Sequence, residues 1–260
     1  MKSGRLIFKT KTRYADYSIV GRGNCIELRS GVDALQSVIN TDKPHKLELK
    51  NLEYLLGVLL FLPIPQNILL LGTGGGSLIH FLKFHYPQCQ LTTVDYDSDL
   101  VELLHQKMLL PEADANLNYQ IDDAAHYIQC CKQNFDLILV DIFSASQSPD
   151  WLLESPNIQQ IQSLLSDQGA VAYNLLIDSE HAWRLFNRDL RRIFDQRILA
   201  LAVKGIDNSL AYGFCYQALQ QDMSYYLQHA SDMSVIHNIN YNEVLAAIYN
   251  SNPIGESGII

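Results

Sequence analysis

Between residues 67 and 215 the chain alternates short, unbroken apolar runs with helical patterns. No other feature constrains its fold as tightly. The runs are NILLL from 67, QLTTVD from 90, NYQIDD from 118, FDLILVD from 135 and AVAYNLL from 170. Between them lie SLIHFLKFHYP, SDLVELLHQKML, AAHYIQCCKQ and SPNIQQIQSLLSDQG, and SEHAWRLFNRDLRRIF follows the last run. Runs such as LLL and LILV do not alternate with polar residues, as expected of strands covered on both faces. Strand and helix in repeated succession predict a parallel sheet with helices on each side. RILALAV and SLAYGFCYQ then form a hairpin, with its turn at 205 to 208, that adds an antiparallel edge. The expected fold class is α/β, Rossmann-like, with a mostly parallel seven-stranded sheet. The antiparallel edge suits nucleoside-dependent transferases better than the plain dinucleotide fold.

Residues 1–46 read differently. RLIFKTKT, YSIVGRGN, CIELRSG and ALQSVIN are short alternating runs punctuated by Gly21, Gly23 and Gly31, the pattern of a small antiparallel β domain. Residues 47–260 are then the nucleoside-binding domain, opening on a buried helix over 47–62 that Pro63 and Pro65 stop. The net charge of -9 argues against a nucleic-acid partner, although residues 1–30 carry seven cations against Asp16 and Glu27. Those cations are expected on the solvent face of the strands. Five cysteines without a C-x-x-C pair fit a reducing compartment rather than a disulfide framework or zinc site. The start has no long apolar core, and the apolar stretch from 54 to 65 is too short to span a bilayer. A cytoplasmic protein without a membrane partner is expected. His80 and His85 lie five apart on a helix, off a shared face, and no metal site is expected; His126 falls near the pocket described next.

The first parallel strand runs straight into GTGGGS, at 72 to 77. Glycine costs conformational entropy, so a cluster of this kind needs either a turn too tight for side chains or a ligand against the backbone. No Lys follows, which excludes a phosphate P-loop, and Ser77 and Ile79 break the dinucleotide fingerprint. Gly72, Gly74 and Gly76 form G-x-G-x-G, a spacing common where S-adenosyl nucleosides bind. Asp95 ends the second strand, nineteen positions past Gly76, where an acid can accept both ribose hydroxyls. Asp122 and Asp123 end the third; one can accept from an adenine amine and the other cap the next helix. Asp141 ends the fourth, beside the expected sulfonium, where a carboxylate can attract S⁺ and take a proton from an amine.

NILLLGTGGGS, TVDYDSDLVELL, IDDAAHYI and FDLILVDIFS together resemble the spermidine synthase (polyamine aminopropyltransferase) family, and ALQSVINTDKPHKLEL resembles that family's Gln-bearing strand. The resemblance runs from about residue 20 to 215. It implies an S-adenosylmethionine methyltransferase-type fold, a homodimer, decarboxylated S-adenosylmethionine as donor and an amine such as putrescine as acceptor. It places Gln36 at the propylamine end of the donor, Gly72, Gly74 and Gly76 at the donor turn, and Asp95 on the ribose. Asp123 matches the adenine-binding acid, with Asp122 where Gly is usual, and Asp141 matches the base. Two departures stand out: Ser144 replaces the second acid of the family's D-S-S-D-P loop, and Glu53 and Tyr54 only approximate its Tyr-plus-acid signature. Two other readings keep the same pocket. One is an S-adenosylmethionine-dependent methyltransferase; the other is a non-catalytic nucleoside-binding scaffold.

Overall fold

The computed structural model describes residues 4–143, 147–203, 205 and 207–252, and the backbone of 254–255 and 258–259. Its N-terminal part is a four-stranded antiparallel meander, β1 (Arg5–Lys11), β2 (Asp16–Arg22), β3 (Cys25–Ser30) and β4 (Ala34–Asn40), paired in chain order. The exposed edge strand β1 carries Arg5, Lys9 and Lys11, where charge discourages pairing with another chain. The expected single helix over 47–62 is instead α1 (Lys50–Leu55) followed by a 3₁₀ turn, Leu56–Leu60. Within that turn Gly57 packs so closely that a Cβ would stand 2.5 Å from Val244, an approach open only to glycine.

The alternation that follows is β5 (Asn67–Leu71), α2 (Ser77–His85), β6 (Gln90–Asp95), α3 (Ser98–Gln106), β7 (Leu117–Ile121), α4 (Ala124–Cys130) and β8 (Phe135–Val140). Next come α5 (Asp150–Leu153), α6 (Ser155–Ser163), β9 (Leu165–Leu175), α7 (Glu180–Ile193), β10 (Ile198–Leu201) and β11 (Ser209–Phe214). These strands form the seven-stranded sheet, in the order β10-β11-β9-β8-β5-β6-β7. Pairing is parallel from β9 through to β7, and β11 runs antiparallel to both of its neighbours. The closing hairpin is therefore not appended strand by strand. β11 inserts beside β9 and leaves β10 at the edge.

Residues 68–71 and 137–140 have no exposed surface, as their unbroken apolar composition requires. Two further helices, α8 (Met223–His237) and α9 (Tyr241–Ser251), pack on each other; the first carried no clear sequence signal. α8 exposes Val235 and Ile236 beside Ser231 and Asp232, so its apolar stripe is broken.

The chain leaves β5 in one direction to build β6 and β7, then returns to build β8 on the other side. β5 is the point where strand order reverses, and its carboxyl end opens the crevice where ligands bind in such sheets. The N-terminal meander closes over that crevice. Thr12 Oγ1 donates to the buried Asp97 at 2.7 Å, and the Ser37 and Ser77 hydroxyls bond at 2.7 Å. Tyr17, Ile19 and Leu28 join the same apolar core as Leu70 and Leu78.

Candidate functional site

The four glycines at the mouth of β5 do different work. Gly72 (φ 98°) has its missing Cβ 2.3 Å from the Asp141 carbonyl oxygen, so any side chain would break the β5–β8 approach. Gly75 and Gly76 are tight against Ser37 and Leu110 in the same sense. Gly74 (φ 52°) is the exception: nothing lies within 4 Å of a Cβ there. Left-handed backbone excludes most side chains at Gly74, yet the space in front of it is open. That space is a cavity whose lining also includes Tyr17, Gln36, Asp95, Asp122 and Asp141.

Asp95 is gripped by the backbone. Its Oδ2 accepts from the Thr73 N–H and its Oδ1 from the Asp97 N–H, each at 3.0 Å. Burial pushes its carboxyl up from the ordinary carboxylate value, and these N–H donors pull against that shift. Each oxygen keeps a lone pair, and vicinal hydroxyls can use both. The neighbouring Asp97 caps α3, accepting from the Leu100 N–H at 3.1 Å.

At the end of β7 the two acids separate. Asp123 Oδ1 accepts from the Ala125 N–H at 2.7 Å and caps α4. Asp122 lines the cavity and takes both of its contacts, 3.0 and 2.9 Å, from His126 Nδ1. His126 thus reaches the site through Asp122 rather than facing the cavity itself.

Asp141 is held by its own N–H, which donates to the Leu71 carbonyl at 2.9 Å, and by Asn174 Nδ2, which donates to Oδ1 at 2.7 Å. Burial pushes its carboxyl up to about 6, against the pull of the Asn174 hydrogen bond. Asn174 is fully buried on β9, and its own Oδ1 has no partner. A leucine would fill that position without the cost of an orphaned acceptor, so the amide serves the site rather than the core.

A second cavity, of about 180 Å³, adjoins the first. Among the described residues, both are lined by Gln36, Asp141 and Phe143 and share no other. Gln36 is oriented by donating from Nε2 to Ser30 Oγ at 2.9 Å. The arrangement can therefore hold one molecule against the glycine turn and a second beyond it, with one carboxylate at the junction. The first cavity has three acids, Asp95, Asp122 and Asp141, and no Lys, Arg or His among its described lining.

The sequence matches the family model of the spermine/spermidine synthase domain over residues 53–182. The chain belongs to this family. A polyamine aminopropyltransferase of Neisseria meningitidis serogroup A is 28% identical over 250 residues, spanning 96% of this chain and 95% of that one. A probable spermidine synthase of Corynebacterium glutamicum superposes with a TM-score of 0.75 at 16% identity, covering 87% of this chain and 86% of its own. Human methyltransferase-like protein 13, solved with SAH, shares the fold with a TM-score of 0.60 at 22% identity, covering 72% and 89%.

Within this family member, the approximate Tyr-plus-acid signature points away from the site. The Tyr54 hydroxyl donates to Glu243 at 3.2 Å, and neither Glu53 nor Tyr54 lines either cavity. Ser144 lies outside the described residues. Tyr17, Tyr96, Phe143 and Asn174 had no part in the sequence reading of the site. Tyr17 sits on β2, far from any glycine or acidic motif, and burial together with the nearby Asp97 pushes its hydroxyl up. Asn174 did carry a signal: it is the one polar residue in AVAYNLL, on a strand with both faces covered. Among the described residues no cluster of His, Cys, Asp or Glu could hold a metal, and no helix is long and apolar enough to cross a membrane.

Proposed function

We propose that the protein transfers an aminopropyl group from decarboxylated S-adenosylmethionine to an amine, with Asp141 as the base. The observation that carries this reading is the junction of two cavities at Gln36, Asp141 and Phe143. Adenosine lies against Gly74, its ribose hydroxyls on Asp95 and its base towards Asp122, with Asp123 committed to capping. The sulfonium then faces Asp141. From the neighbouring cavity an amine enters as its ammonium, is held by the Asp141 carboxylate and gives it a proton. The freed nitrogen lone pair attacks the propyl carbon bonded to sulfur. A C–N bond forms, the C–S pair returns to sulfur, and neutral methylthioadenosine leaves. Placing the two reactants in line is most of the required catalysis, because the donor already carries its leaving group.

The family membership and the Neisseria relative's name support this reading, as does the charge of the donor cavity. Three carboxylates, with no cation among the described lining, suit a sulfonium and an aminopropyl ammonium. The α-carboxylate of intact S-adenosylmethionine would meet only like charge there. The reading carries with it a cytoplasmic homodimer.

Calorimetry with the two donors tests it. Decarboxylated S-adenosylmethionine should bind at least tenfold more tightly than S-adenosylmethionine. The reverse order would favour methyl transfer, and micromolar binding by neither would favour a scaffold.

A further inference from the structure

Asp122 just ahead of α4, His126 within it and Cys130 at its last residue are spaced four apart, so they share one face of the helix. The inner pair is already joined: His126 Nδ1 lies 3.0 and 2.9 Å from the two Asp122 carboxylate oxygens. The chain of contacts continues outward, because His126 Nε2 lies 3.4 Å from the Cys130 sulfur. Asp122 lines the donor cavity, and Cys130 is exposed, about 12 Å further along the helix axis.

This geometry fixes where the protons sit. An ionised carboxylate only accepts, so the proton of the neutral imidazole is on Nδ1. Nε2 is then the acceptor, and the Cys130 thiol donates to it. A thiol, an imidazole able to take its proton and a carboxylate that holds the imidazole in that tautomer make up the arrangement that activates a sulfur nucleophile.

The other four cysteines lack this combination. Cys89 is buried, and burial pushes its thiol up to about 12. Burial also pushes the thiols of Cys25 and Cys215 up. Cys131 is half-buried and donates to the Tyr127 hydroxyl at 3.7 Å. Of the five, only Cys130 is exposed, and its neighbour is a group that can remove its proton.

We propose that Cys130 is a site of covalent modification by small disulfides, with His126 as its base and Asp122 holding His126 in the productive tautomer. The thiol gives its proton to Nε2, and the sulfur lone pair attacks one sulfur of the incoming disulfide. A new S–S bond forms as the old one breaks, and the departing thiolate takes the proton from the imidazolium. Cys130 is oxidised to a mixed disulfide while the reagent is reduced to a thiol. The site is independent of the transferase reading, since none of its steps uses the donor or the amine.

The test treats the full chain at pH 7 with dithiodipyridine, a small disulfide whose released thiopyridone is read by absorbance. Peptide mass spectrometry identifies the cysteine modified. Cys130 should react first, and about tenfold faster than glutathione under the same conditions. His126→Gln keeps a hydrogen-bonding group beside the sulfur but cannot take its proton, and should slow Cys130 about tenfold. Asp122→Asn presents an amide N–H to Nδ1, which moves the imidazole proton to Nε2, and should slow Cys130 by a similar factor. Modification of another cysteine first, or a Cys130 rate no greater than that of glutathione, overturns the proposal. So does an unchanged rate in either variant when circular dichroism shows the fold retained.

Discussion

Asp141 stands between two requirements. As the proposed base it must be ionised to bind an ammonium, yet its burial raises the cost of ionisation and brings its carboxyl to about 6. A base of that strength is still a carboxylate at neutral pH and accepts a proton more readily than an exposed one. The rate at limiting amine should therefore fall about tenfold per unit below pH 6 and level off above it, measured as kcat/KM from pH 5 to 8. Asn174→Leu removes a hydrogen bond that favours the charged form, so the acid limb should move to higher pH. A variant that lowered kcat with an unmoved limb would leave Asn174 only a structural role. Asp141→Asn should lower turnover about 10²–10⁴-fold while nucleoside affinity changes less than threefold. The same substitution has a stability consequence of opposite sign. A carboxyl raised in the folded state favours folding below its unfolded value, and that contribution is lost as pH rises through about 6. Asp141→Asn should accordingly be more stable than the natural protein at pH 7.5, by about 1–3 kcal/mol in urea unfolding.

At the scale of elements, the strand–turn–helix of β5 and α2 divides its glycines between close packing and the open cavity. Gly72→Ala places a methyl 2.3 Å from a main-chain oxygen, in left-handed backbone, and the β5–β8 approach would have to give way. It should cost about 2–4 kcal/mol, read as a lowered thermal midpoint. Gly74→Ala meets open space, so only its backbone conformation costs, about 1–2 kcal/mol. Its methyl would enter the cavity proposed to hold the donor, and donor affinity should then drop about tenfold or more by calorimetry. Equal effects of the two variants on affinity would remove the distinction. The ends of β6 and β7 show the same division between acids. Asp97 and Asp123 cap α3 and α4, which leaves Asp95 and Asp122 for the cavity.

At the scale of the whole molecule, the N-terminal meander is part of the site. β2 supplies Tyr17, β4 supplies Gln36, and Thr12 bonds the buried Asp97 that caps α3. Thr12→Val should destabilise the chain by about 1–3 kcal/mol, because it removes a hydrogen bond to that buried carboxylate. Tryptophan fluorescence, reporting from Trp151 and Trp183, and far-ultraviolet circular dichroism should give coincident urea transitions, since the meander and the large sheet share one apolar core. The parallel sheet, its glycine turn and the acids at three strand ends were legible in the sequence by itself. Each rests on local chemistry: unbroken apolar runs mark strands buried on both faces, and a glycine cluster or a strand-end acid needs no distant partner to be noticed. The place of β11 inside the sheet, the choice of Asp122 rather than Asp123 for the cavity and the hold of Asn174 on Asp141 were decided only by the tertiary structure. So was the second cavity beside Asp141. Its described residues come from positions between 34 and 52 and from 141, 143, 176 and 208, and only chain folding brings such separated groups round one space.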